Sequence, residues 1–223
     1  MEQINQSNVQ APFGNMRFHP VIRILAKAIS LVFHPLFIPV YISWFLIYLN
    51  PLFPAFTAWE KMLLLIRFIV MYVMFPLVTV LLTKGLGFID SIYLKTQKDR
   101  IIPYVACGMY YFWMWYVLRN QPEMPVQLIQ LTMAIFLASS LGLMANSYLK
   151  VSMHAIAVGV MVAFMLLLGF SVTANIGFYI SIAFFIAGLV CTARLATADH
   201  WPLEIYAGLF IGIVGQLAAY WIV

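Results

Sequence analysis

The stretch ARLATADHWPLEIYAG, Ala193 to Gly208, places an arginine, an aspartate, a histidine and a glutamate at the junction of two apolar runs, Ile176–Cys191 and Leu203–Ile222. At about 1.5 Å per helical residue, runs of this length approach or match a hydrocarbon core of roughly 30 Å. In lipid each backbone N–H and C=O must find its partner within its own segment, and neither run alternates as a barrel strand would. Both runs are therefore expected to be membrane helices, and the polar stretch to be the turn between them at a membrane surface.

Working outward, five more runs carry the same signature: Ser30–Leu49, Met62–Leu82, Pro103–Leu118, Val126–Asn146 and Ala155–Phe170. Across the 223 residues 65% are hydrophobic and 9% charged, with mean hydropathy +0.98. Soluble domains carry about 25% charged residues, so the chain is expected to be an all-α polytopic membrane bundle with six or seven transmembrane helices. Residues 1–29 form a polar, interfacial N-terminal segment and 30–223 the membrane domain. Three of the runs are short for a perpendicular span and are expected to extend into their flanks. Gly159, Gly188, Gly208, Gly212 and Gly215 would let helices approach closely.

Composition also excludes several classes. No short apolar segment with a cleavage site precedes the first run, so no secretory leader is read. Cys107 and Cys191 lie in or beside apolar blocks, which argues for buried thiols and against a disulfide framework or a cysteine metal site. Twelve basic and seven acidic residues give a net charge of +5. They contain no basic run with interleaved aromatics, so nucleic acid is not an expected partner. An anionic lipid headgroup is.

If the seven helices alternate, three polar segments fall on one membrane face: Lys95–Arg100, Lys150–His154 and Arg194–His200. A positive-inside count puts that face in the cytoplasm, but several of the counted cations serve the polar clusters themselves, so the leaflet is left unassigned. His200 and Glu204 are four residues apart, a spacing at which a carboxylate can fix the tautomer of an imidazole and raise its nucleophilicity. Arg194 offers a planar fork for phosphate. Lys150, Ser152 and His154 stand just before a helix start, where an anion is favoured. Lys95, Lys98 and Arg100 add further cations. Read singly, these are interfacial anchors and solvated flanks; gathered on one face near lipid, where polar groups are costly, they would form a phosphate-sized anion-binding site.

The order and spacing of these residues resemble the type 2 phosphatidic acid phosphatase superfamily. Its third signature is Ser-Arg, five residues, His, three residues, Asp; here Ala193 and Arg194 are followed at the same spacing by His200 and Glu204, with Trp201, Pro202, Ala207 and Gly208 adding to the likeness. The second signature, Pro-Ser-Gly-His, stands as Val151, Ser152, Met153 and His154. In the first, Lys, six residues, Arg-Pro, Arg100 is the best match; Tyr93 occupies the lysine position and Pro103 comes two residues late, leaving Lys95 or Lys98 as approximate substitutes. The resemblance covers about Lys95 to Gly208. It implies a lipid phosphatase acting on a phosphate monoester or diphosphate, an isoprenoid diphosphate included. In it His200 is the nucleophile that becomes a phosphohistidine, Glu204 orients it, and His154 protonates the leaving oxygen. Arg100, Arg194, Lys95, Lys98, Lys150 and Ser152 hold the phosphoryl oxygens, with no metal or other cofactor. A bacterial inner membrane is the expected location. The alternatives are a non-catalytic scaffold that binds lipid phosphates and a small-molecule transporter, the latter less favoured because the polar clusters lie at helix ends and not at broken helices in midmembrane.

Overall fold

A computed structural model describes residues 19–50, 52–94, 96–197 and 199–223. The described chain is helical: α1 (Pro20–Val32), α2 (Ile38–Leu49), α3 (Ala58–Gly85), α4 (Gln97–Arg119), α5 (Val126–Asn146), α6 (Met153–Ser171), α7 (Gly177–Ala196) and α8 (Pro202–Ile222). The six helices α3 to α8 are long and apolar enough to cross a membrane. The chain is thus a polytopic integral membrane protein built as an all-α bundle. The short runs do extend into their flanks: α4 begins at Gln97, α6 at Met153, and α7 reaches Ala196.

The first expected span is corrected. Ser30–Leu49 is not one helix, because His34 and Pro35 lie in a corner between α1 and α2. Proline disfavours helical backbone in the residue before it and has no N–H to continue a helix. Helix α1 itself begins at Pro20, inside the expected N-terminal segment, and runs past residue 29. At 13 residues it is too short to cross the membrane. It turns Ala26 and Ile29 onto Ala193 and Ala196 of α7, while Val21, Ile22, Ile24, Leu25, Leu31 and Val32 are exposed. An amphipathic helix of this kind lies along a membrane surface.

Helix α6 is the axis of the bundle: 61% of its most apolar 18-residue window is buried, against 22–39% for the other five spans. It packs most extensively on α8 and also on α7, and α8 packs in turn on α5; α7 and α8, consecutive in sequence, touch little. Glycines make the α6–α8 approach possible. A Cβ at Gly159 would overlap the carbonyl oxygen of Leu209, and one at Gly208 would lie 2.7 Å from that of Ser152. Gly188, by contrast, has nothing within 4 Å of where its Cβ would stand, so it serves no such contact. Of the two thiols, Cys107 is buried and Cys191 is only partly so, and neither is in a disulfide.

Helix alternation brings the start of α4, the end of α5, the start of α6, the end of α7 and the start of α8 to one end of the bundle. The meeting is visible in cross-links: Gln97 Nε2 donates to Asn146 O at 2.6 Å, and Asn146 Nδ2 returns a bond to Gln97 O at 2.9 Å. The backbone N–H of Ser152 donates to the carbonyl of Glu204 at 3.1 Å. This last bond ties the first turn of α6 to the first turn of α8.

Candidate functional site

At that end of the bundle a cavity of about 960 Å³ reaches from the polar surface into the apolar interior. Its polar end is lined by Lys27, His34, Arg100, Lys150, His154, Arg194, Asp199 and His200. Deeper in, Ile42, Leu77, Val80, Cys107, Ile135 and Val160 replace them. The cavity is therefore amphiphilic along its length.

His200 lies in the turn before α8, and Pro202 and Glu204 fall in the first turn of that helix. Proline is tolerated there because its missing donor is one the helix does not use. One turn on, Glu204 faces back: its Oε2 accepts from His200 Nδ1 at 2.7 Å and from the backbone N–H of Trp201 at 3.2 Å. Both side chains are buried. With Nδ1 donating to the carboxylate, Nε2 of a neutral His200 is the unprotonated nitrogen. Burial pushes the His200 imidazole below its ordinary value; Arg194 and Arg100 act in the same direction, and the bond to Glu204 opposes them.

Arg194, in the last turn of α7, is held by Asp199: Nη2 lies 2.9 Å from Oδ2. Nη1 reaches Ser30 Oγ at 3.5 Å, and Nε is buried without a partner among the described residues. A guanidinium with one unanswered buried donor is poised for an anion. Lys150 Nζ lies 3.5 Å from the carbonyl of Asp199. Burial lowers the lysine from its ordinary value, Arg100 adds to that, and the carboxylates of Glu204 and Asp199 oppose it.

Arg100 lines the cavity, yet two of its donors serve the fold. Nε donates to Leu94 O at 3.0 Å and Nη1 to Val151 O at 2.8 Å, both bonds buried. The capping box of Thr96 and Asp99 fixes the helix start that places it. Arg100→Ala leaves two buried carbonyls without partners, at about 1–3 kcal/mol each. The variant is expected to show a clearly lowered thermal midpoint in detergent. Arg100→Lys, which lacks the planar fork, is expected to recover only part of it.

The other expected residues divide. Ser152 is fully buried and does not line the cavity; it caps α6, its Oγ accepting from Ala155 N at 3.4 Å. Lys98 is exposed on the first turn of α4 and stays outside the cavity lining. Lys95 lies outside the described residues. His154 is in the cavity, but Nε2 donates to the carbonyl of Ser30 in α1 at 3.0 Å. Its ring thus faces the surface helix, an arrangement the spacing of motifs could not reveal.

The structure adds one residue that sequence reading did not single out, His34, and gives a role to the aspartate of the opening stretch, Asp199. His34 comes in from the α1–α2 corner, its ring 5.4 Å from that of His154 and edge-on to it. Asp199 neutralises Arg194. The signal for His34 was Pro35, which interrupts the first apolar run and forces a corner. Among the described residues no group of three or more His, Cys, Asp or Glu side chains is disposed to hold a metal ion. No protein-family model, curated protein or solved structure matches the chain.

Proposed function

We propose that this protein is a membrane lipid phosphatase, of the kind its motifs resemble in the type 2 phosphatidic acid phosphatase superfamily, working in a bacterial inner membrane. The observation that carries the reading is the 2.7 Å bond from His200 Nδ1 to Glu204 Oε2 inside a cavity that also holds Arg100, Lys150 and Arg194. A carboxylate-oriented imidazole among fixed cations is equipped to attack phosphorus. The apolar depth of the same cavity suits a hydrocarbon tail, so the substrate is a lipid phosphate monoester or an isoprenoid diphosphate.

In this mechanism the Nε2 lone pair of His200 forms a bond to phosphorus as the bond to the leaving oxygen breaks. The electron pair departs with that oxygen, which takes a proton. Arg194, Lys150 and the free edge of Arg100 hold the equatorial oxygens, whose charge they stabilise without moving. Water then attacks the phosphohistidine, releasing inorganic phosphate and restoring the ring. In this scheme His154 supplies the leaving-group proton only as the imidazolium, protonated on both ring nitrogens and turned from the Ser30 carbonyl to the substrate, and it regains that proton from the attacking water in the second step. The test is phosphate release by the full chain in nanodiscs across lipid monophosphates and diphosphates with a chelator present; no release across the panel would move the reading to a lipid-phosphate-binding scaffold.

A pH dependence follows from the lowered value of His200. A depressed value keeps the nucleophile unprotonated where a free imidazole, near 6.5, would be charging. Activity carried by neutral His200 is therefore expected to persist through that pH and to fall only further into acid. The measurement is kcat/KM against pH on a soluble short-chain substrate; an acid limb centred at or above about 6.5 would contradict the assignment.

A further inference from the structure

His34 has no role in the mechanism above, although it stands among the groups that mechanism uses. Pro35 ends the helical path and turns His34 out of α1, toward the cavity it lines with His154, Arg194 and His200. Its Nδ1 accepts from the backbone N–H of Leu36 at 3.4 Å. An accepting Nδ1 leaves the proton of a neutral ring on Nε2. Among the described residues that Nε2 has no hydrogen-bond partner, and the carbonyl of Ser30 on α1 is taken by His154. The ring is half-buried. Burial first, and Arg194 second, lower it from its ordinary value, which favours the neutral form. A neutral imidazole that offers one N–H into a cationic cavity is a hydrogen-bond donor, and it is unsuited to be a proton donor because losing that proton would leave an imidazolate.

We propose that His34 is a binding residue of the anion site, donating its Nε2–H to a phosphoryl oxygen of the bound headgroup, with the edge of the His154 ring holding it in place. The inference rests on the anion-binding reading of the cavity. It assigns the α1–α2 corner a part in headgroup recognition, beyond the three motif segments from α4 onward.

The test uses the full chain in nanodiscs and two probes, inorganic phosphate and octyl phosphate. Tighter binding of octyl phosphate by wild type marks a lipid source, and equal binding marks free phosphate. His34→Phe keeps a flat ring against His154 but removes the donor; His34→Gln restores an N–H at the Nε2 position. A lost hydrogen bond to a charged group corresponds to roughly 10-fold weaker binding. His34→Phe is expected to show that loss and His34→Gln to bind within about 3-fold of wild type. In wild type, the ¹⁵N resonance of His34 Nε2 should move when phosphate is added. Unchanged binding by His34→Phe, equal losses in both variants, or a stationary Nε2 resonance would each overturn the proposal. The outcomes separate from those of the phosphatase reading. His34-dependent binding with no phosphate release would retain this residue's role and remove the enzyme, whereas His200-dependent release that is indifferent to His34 would do the reverse.

Discussion

His200→Ala is expected to abolish both phosphate release and the acid-labile phosphohistidine, a fall of about 10³-fold or more in kcat for loss of a nucleophile. The variant should still fold, since His200 lies in the turn between α7 and α8 and its side chain has one hydrogen-bond partner among the described residues, Glu204. Glu204→Gln is the more discriminating companion. An amide can still accept from Trp201 N–H, but it no longer provides the charge that stabilises an imidazolium or fixes Nδ1 as the protonated nitrogen; a fall of about 10²–10⁴-fold is expected. Glu204→Asp retains the charge and loses reach. In this chain the glutamate side chain closes the i,i+4 gap to 2.7 Å. Withdrawing the carboxylate by a methylene displaces the pair by around an ångström, which corresponds to about 100-fold in rate. Phosphate release and trapped phosphoenzyme, measured on the same preparations, distinguish slow attack from slow hydrolysis of the intermediate. Equal turnover by wild type and His200→Ala would remove His200 as the nucleophile.

Much of the fold was legible because the membrane constrains it severely. Once the runs from Met62 to Ile222 are read as helices, alternation alone sends Arg100, Lys150, His154, Arg194 and His200 to one end of the bundle, and the cavity lining agrees. The His200–Glu204 contact was legible for the same reason: helical spacing across a first turn permits few other outcomes. What sequence could not reveal is where a side chain's remaining donors go. Ser152 matches a motif position yet caps α6, and Arg100 matches one yet clamps Leu94 and Val151. Those bonds depend on chain segments folding back over the site, which periodicity does not record. The corner at His34 and Pro35 was missed because average hydrophobicity ran straight through it. With it went the Ser30 carbonyl on His154 and the third histidine.

Gly212→Leu is expected to be the most damaging substitution in the apolar part of the chain, although the atoms nearest a Cβ at position 212 belong to Ile156, Gly159 and Val160 and not to the polar cluster. Already a Cβ there would overlap the carbonyl oxygen of Ile156 and stand 2.8 Å from Val160 N and 3.0 Å from Gly159 Cα. These are backbone atoms of α6, which cannot rotate aside as a side chain would, so α6 and α8 must separate. Overpacking of a tight core costs about 1–3 kcal/mol for added methylenes, and an isobutyl group aimed at a neighbouring backbone belongs at or above the top of that range. The functional consequence comes from the same geometry. His154 rides on the first turn of α6, His200 on the approach to α8 and Glu204 on its first turn, with Ser152 N–H to Glu204 O joining the two helices. Separation of the two helices by about an ångström breaks that bond and shifts His200, the proposed nucleophile, relative to the cations, again on the order of 100-fold. Gly188→Leu is the matched control, because its Cβ meets nothing within 4 Å; it is expected to keep both the thermal midpoint and the activity of wild type. Thermal unfolding in detergent and phosphate release, measured on both variants, separate the helix contact from a general intolerance of large residues in membrane helices. If Gly212→Leu unfolded and turned over like wild type, the close α6–α8 approach would not be what positions the site.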